Sequence, residues 1–122
     1  MKRNMDLVRS ILLKVEESGN PKLRSVPAVD GSTQLEVVYH VDLLTQAGLV
    51  EATDASSNAG RAFIEIGLTW QGHEFLENVR DPEIWRKTKA GATKVGSLSI
   101  GVLVDVAKAV VAAKLKSLGL SD

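Results

Sequence analysis

Two histidines, His40 and His73, and the carboxylates beside them, Asp42 and Glu74, are the side chains in this sequence best suited to hold a transition metal. A preformed site needs such ligands on one face at short spacing, as in a His-Glu-x-x-His helix. Here the histidines are 33 positions apart on different expected helices, so packing and capping roles are expected for both, and no metal or other cofactor. A serine hydrolase would need a nucleophile elbow, and no Gly-x-Ser-x-Gly occurs. Gly91 and Gly96 have the spacing of a phosphate loop, but Ser97 stands where the loop lysine should follow and no buried strand precedes. The carboxylate pairs Glu16-Glu17 and Glu74 with Glu77 fall on solvated helix faces. With no cysteine there is no thiol nucleophile. The residues give no catalytic constellation, and the expectation is a non-enzymatic binding module.

The elements that carry these residues follow from hydrophobic period and capping chemistry. Met5, Val8, Ile11, Leu12 and Val15 recur at helical spacing behind a capping Asn4, and Ser18-Gly19-Asn20-Pro21 ends that helix. Val26 to Val29 reads as a short extended piece before an Asp30-Gly31 turn. Thr33-Gln34-Leu35-Glu36 has the form of a capping box, so a second helix starts there, with Leu35, Val38, Val41, Leu44 and Ala47 toward the core and Gly48 at its end. Leu49 to Thr53 and the alternating Ala62, Ile64, Ile66 and Leu68 form a hairpin with its tip at residues 54–60. Thr69 caps a third helix, and Asp81-Pro82-Glu83 restarts the chain as a fourth, with Ile84 and Trp85 as anchors. Trp70, Phe75 and Trp85 are read as core aromatics. Gly91, Gly96 and Gly101 mark a loosened segment before a last helix over residues 98–118, whose apolar face is unusually wide.

Composition bounds the class. The chain has 122 residues, 15 Lys+Arg against 15 Asp+Glu, and 44% hydrophobic residues, which describes one ordinary globular domain and excludes disordered, collagenous and disulfide-rich chains. Asp6, Arg9 and Lys14 interrupt the apolar run that would follow Met1-Lys2-Arg3 in a signal peptide. Asp105, Lys108 and Lys114 keep the last helix short of the roughly 20 apolar residues of a membrane span. No membrane association and a cytoplasmic location are expected.

The order of elements resembles a winged-helix domain. Leu43-Leu44 with Gly48-Leu49-Val50 is similar to the run that ends a winged-helix recognition helix, and Leu68-Thr69 with Gly72 to the run that leaves the second wing strand. More closely, Met1 to Arg9, the block from Tyr39-His40-Val41 to Gly48-Leu49, and Leu68 to Trp85 resemble the domain-of-unknown-function family 2513 of bacteria and phages. That resemblance covers most of the chain and implies a fold but no chemistry. The stretch between Gly19 and Thr33 departs from a full winged helix, because it leaves the usual middle helix shortened or missing.

Charge divides the chain sharply. Residues 1–24 hold six basic and three acidic groups, residues 30–83 two and ten, and residues 84–116 seven and one. DNA is held chiefly by phosphate neutralisation, yet the second helix has Glu36 and Asp42 and no Lys or Arg. Ser32, Thr33, Gln34 and Tyr39, with Arg61 on the wing, are therefore the candidate nucleic-acid contacts. Lys2, Arg3, Arg9, Arg86, Lys87 and Lys89 would have to lie alongside. The densest basic run, Arg86, Lys87, Lys89 and Lys94, reads equally as a phosphate-contacting patch or a solvated helix end, where cations are favoured.

These readings give an α+β fold: a winged-helix-like domain over residues 1–90 with a two-stranded wing, and appended C-terminal helices over residues 91–122 that pack on the same domain or on a dimer partner. DNA binding in the manner of a transcription regulator is the first functional expectation. The alternative is a protein-interaction or assembly adaptor using the acidic surface toward a basic protein. A homodimer is expected through Leu103, Val106, Val110 and Val111, against the plainer reading that the last helix packs along the first.

Overall fold

The computed structural model describes residues 1–18, 22–97 and 99–120. Among these, five helices and one two-stranded antiparallel sheet give an α+β chain, in an order compatible with a winged-helix-like arrangement. It divides into two compact units, Met1–His73 and Glu74–Asp122.

In the first unit, α1 (Met5–Glu17) begins at Asn4, whose Oδ1 accepts a hydrogen bond from the Leu7 N–H at 3.1 Å. Leu7, Val8, Ile11, Leu12 and Val15 are buried. Met5 is only half-buried, because it lies at the edge of the stripe, whereas Leu7 falls one turn before Ile11 on the same face. The expected stop at Gly19-Asn20-Pro21 lies outside the described residues.

No described residue between α1 and the next helix is helical. Leu23 instead exchanges two 2.7 Å backbone hydrogen bonds with Ile66. The extended piece expected at Val26 to Val29 makes no strand pairing, and Pro27 has no N–H to offer one. The Asp30-Gly31 turn closes with the Ser32 N–H donating to the Val29 carbonyl at 3.1 Å.

Helix α2 (Gln34–Gln46) opens with the full capping box: the Glu36 N–H donates to Thr33 Oγ1 at 3.1 Å, and the Thr33 N–H donates to Glu36 Oε1 at 2.9 Å. Its buried residues are Val37, Val38, His40, Val41 and Leu44. The face is therefore rotated from the one expected, since Leu35 is 66% exposed and Ala47 is the exposed C-cap. This helix is apolar on more than one side, so spacing alone does not fix its phase. Gly48 turns the chain at φ 79°, a conformation costly for a residue with a Cβ.

Strands β1 (Val50–Asp54) and β2 (Phe63–Leu68) pair with Val50 opposite Leu68 and Glu51 opposite Gly67, then with Thr53 opposite Ile64 and Asp54 opposite Phe63. The sum of partner numbers drops by one along the ladder, so β2 holds an extra residue. Glu65 sits there at φ 54°, the left-handed conformation of a β-bulge. The bulge corrects the simple alternation expected for β2. Ile66 points inward as anticipated, but Ile64 is 38% exposed and Phe63 is buried in its stead.

Thr69 locks the end of the hairpin to the end of α2, donating from Oγ1 to the Gly48 carbonyl at 2.6 Å while its N–H donates to the Leu49 carbonyl at 3.1 Å. The same hydroxyl oxygen accepts from the Gly72 N–H at 3.0 Å, which caps α3 (Trp70–Val79). Trp70 is 73% exposed, against the expectation that it is core: it occupies the first position of α3, ahead of the buried Phe75, Leu76 and Val79.

In the second unit, α4 (Pro82–Val95) starts at Asp81, whose Oδ1 accepts from the Glu83 and Ile84 N–H groups at 2.8 and 3.2 Å, with Pro at the first helical position. Trp85 is buried as expected and Ile84 half-buried. The loosened glycine segment is confined to Gly96, which ends α4. Gly91 lies inside α4 and Gly101 inside α5 (Ile100–Ser117). A Cβ on Gly91 would come within 2.7 Å of Val106 Cγ1, so this glycine lets the two helices pack closely. The division expected between residues 90 and 91 falls within α4.

Candidate functional site

Five side chains were expected to meet a nucleic acid, and the first unit gathers them around α2 and the hairpin. Leu35, Tyr39, Asp42, Leu43 and Gln46 share the helix side opposite the buried residues. Thr33 and Gln34 are exposed at the N-terminal end of α2. Ser32 and Gln34, with Val26 to Asp30 and Val37, line a cleft of about 290 Å³. The Thr33 hydroxyl is occupied by the capping box, so a ligand there would meet it as part of the helix end. Tyr39 is half-buried and meets the His40 ring edge-on, with centroids 5.4 Å apart.

Arg61 comes from the hairpin and reaches α2. Its guanidinium lies 3.2 Å from Asp42 Oδ2 and 5.5 Å from the centroid of the Phe63 ring. The arginine side chain keeps 53% of its surface in solvent, against 23% for Asp42. The hairpin cation and the helix carboxylate thus form one element of the surface. Their sequence separation gave no local signal of this pairing, which only the fold brings about.

His40 is 1% exposed and does structural work. Its Nδ1 donates to the Glu36 carbonyl at 2.7 Å, one turn back, and Nε2 accepts from the Asn4 N–H at 2.8 Å. The ring is therefore a neutral imidazole with its hydrogen on Nδ1. This bond ties the start of α1, which follows the exposed Lys2 and Arg3, to the middle of α2. Glu36 stays ionised below the ordinary carboxylate range, chiefly because it accepts from the Thr33 backbone N–H. Asp54 at the end of β1 is lowered likewise, first by the Ser56 hydroxyl and then by the Ser56 N–H.

A second, open cleft of about 740 Å³ is lined by Lys22, Leu23, Arg24, Ser25, Val26, Pro27 and Glu65. It brings cations beside the bulge of β2, although Lys22 is paired with Glu51 at 3.5 Å. Sequence reading passed over Lys22 and Arg24 because they stand in a stretch without period.

In the second unit, Leu103 is buried within its own chain, and Val106 lies under Gly91. Val110 lines a groove of about 410 Å³ with Ile84, Ala113 and Lys114, and Val111 is half-buried. Arg86, Lys87 and Lys94 are exposed on α4; Lys87 pairs with Glu83 at 3.2 Å, and Lys89 lies 5.7 Å from the Trp85 ring centroid. Among the described residues, no group of three or more His, Cys, Asp or Glu side chains could hold a metal, and no helix is long and apolar enough to cross a membrane.

Fold and site together define a small α+β protein in which a helix and a hairpin present one mixed polar and apolar surface. The chain belongs to the family described as Hypothetical protein (DUF2513), whose model matches residues 2–99. It is similar to an uncharacterized protein of Haemophilus influenzae, 42% identical over 113 residues that cover 90% of this chain and 92% of the relative. No solved structure matches it.

Proposed function

We propose that this protein is a DNA-binding module of winged-helix-like type, in which α2 faces the duplex and the hairpin acts as the wing. The observation that carries the reading is the supply of cations to a helix that has none. Arg61 reaches α2 from the hairpin, and the Asn4–His40 bond ties the chain just after Lys2 and Arg3 to the middle of the helix. Phosphate contacts from flanking segments would give affinity and register, while Gln34, Tyr39 and Gln46 offer donors and acceptors toward base edges. Ser32 would meet the backbone beside the capped start of the helix. The reading includes a cytoplasmic setting and self-association through α5, where Val111 is half-buried and Leu115 is 40% exposed, with the C-cap Leu118 59% exposed beyond it.

One observation favours a second reading, a protein-interaction adaptor. The outer face of α2 carries an exposed leucine, a tyrosine and an acidic group, a surface suited to an apolar partner with basic edges. A benzophenone amino acid installed at position 34, on the exposed start of α2, separates the two in living bacteria. The DNA reading predicts photo-adducts that nuclease digests. Adducts resistant to nuclease and removed by protease would replace it with the adaptor reading.

A further inference from the structure

We propose that Asp42 is an affinity-setting residue: its carboxylate holds Arg61 in an intramolecular ion pair that competes with DNA phosphate for the wing cation. The inference rests on the DNA-binding reading and adds to it a built-in restraint. Arg61 is the one basic residue of the hairpin, so whatever holds it controls the wing's phosphate contact. Asp42 stands on the outer face of α2, 3.2 Å from the guanidinium. It therefore acts twice, as the competitor for Arg61 and as a negative charge on the surface that must approach the duplex.

The geometry suits a competition. The arginine is half in solvent, so a phosphate oxygen can reach donors that Asp42 leaves unused, and the planar guanidinium has five. The guanidinium also lies over the Phe63 ring, 5.5 Å from its centroid, a contact that does not depend on which anion it meets. A pair whose cation stays half in solvent is weak enough for an incoming phosphate to displace, yet strong enough to lower affinity for non-specific DNA severalfold.

The test is a double-mutant cycle read by fluorescence anisotropy on a labelled random duplex, using the full chain as wild type, D42N, R61Q and D42N/R61Q, with circular dichroism melts to confirm folding. D42S serves as a second variant if D42N melts early. D42N is expected to tighten binding about two- to fivefold, the range of an exposed ion pair, and to steepen the log–log salt dependence by about one phosphate, roughly 0.9. In the R61Q background the same substitution is expected to give a clearly smaller gain. An equal gain in both backgrounds would show plain relief of repulsion and overturn the competition, as would no gain at all. In either case, binding by the wild type would leave the DNA reading standing. Absence of duplex binding by all four proteins would overturn that reading and this inference with it.

Discussion

The backbone of Gly72 lies so close to the carbonyl of Leu49 that a Cβ at position 72 would overlap the Leu49 oxygen. The approach is enforced by Thr69, which bonds the Gly48 carbonyl with its hydroxyl and the Leu49 carbonyl with its N–H. The Thr-x-x-Gly run is thus a clamp between the end of α2 and the start of α3. The obstacle is backbone and cannot rotate away, so Gly72→Ala is expected to cost about 1–3 kcal/mol or more, the scale of overpacking. Chemical denaturation of the two proteins measures it; an unchanged midpoint would refute the clamp.

Gly91 gives the converse of ordinary helix propensity. On a free helix surface, Gly→Ala stabilises by about 1 kcal/mol. Here the added methyl meets Val106 Cγ1, and Gly91→Ala is expected to destabilise instead. Val106→Ala in the same chain should recover a large part of that loss. The four-protein unfolding cycle then shows a coupling of about 0.5–3 kcal/mol between positions 91 and 106.

Glu65 occupies the left-handed region without being glycine. The conformation costs an L-residue about 1–2 kcal/mol, while a glycine adds about 0.4–1 kcal/mol of unfolded-state freedom. Glu65→Gly is therefore expected to be neutral or mildly stabilising. Glu65→Val, β-branched, should destabilise by about 1–3 kcal/mol. Thermal melts of both variants check the order, and a valine variant as stable as wild type would remove the bulge.

Acid should weaken the protein through its caps. Asp81 is held below the ordinary carboxylate range, first by the Ile84 N–H and then by the Glu83 N–H. Glu36 and Asp54 are lowered for related reasons. A depressed folded-state pKa contributes stability above the unfolded carboxylate range that disappears as pH falls through the folded value. Unfolding midpoints are expected to hold near neutrality and fall with acidification from the carboxylate range downward. Asp81→Asn keeps a capping oxygen but cannot titrate, so its decline with acid should be shallower. A slope identical to wild type would show that the cap does not titrate with folding.

Much of this fold is legible because local chemistry sets it. Asn4, Thr33, Thr69 and Asp81 announce helix starts, and each does cap. The hairpin and its loop were equally plain. What escaped was phase. A single extra residue at Glu65 exchanges Ile64 for Phe63 in the core, and because α2 is apolar on more than one side its orientation depends on tertiary contacts, among them that of the buried His40 with Asn4, 36 residues away. Trp70 looks like core by type and is exposed by position. At the candidate site, Gln34, Tyr39 and Arg61 were visible as residues that could bind DNA, but the Asp42–Arg61 pair joins a helix to a hairpin and has no trace at any short spacing.

The most direct test of the central claim is the affinity of the full chain for a labelled random duplex, followed by anisotropy from about 50 to 200 mM salt. A surface that neutralises two or more phosphates predicts binding that weakens about tenfold or more across that range, and Arg61→Glu should weaken it further. An anisotropy that stays at its free-duplex value at the lowest salt would contradict the claim that α2 and the hairpin form a DNA-binding surface.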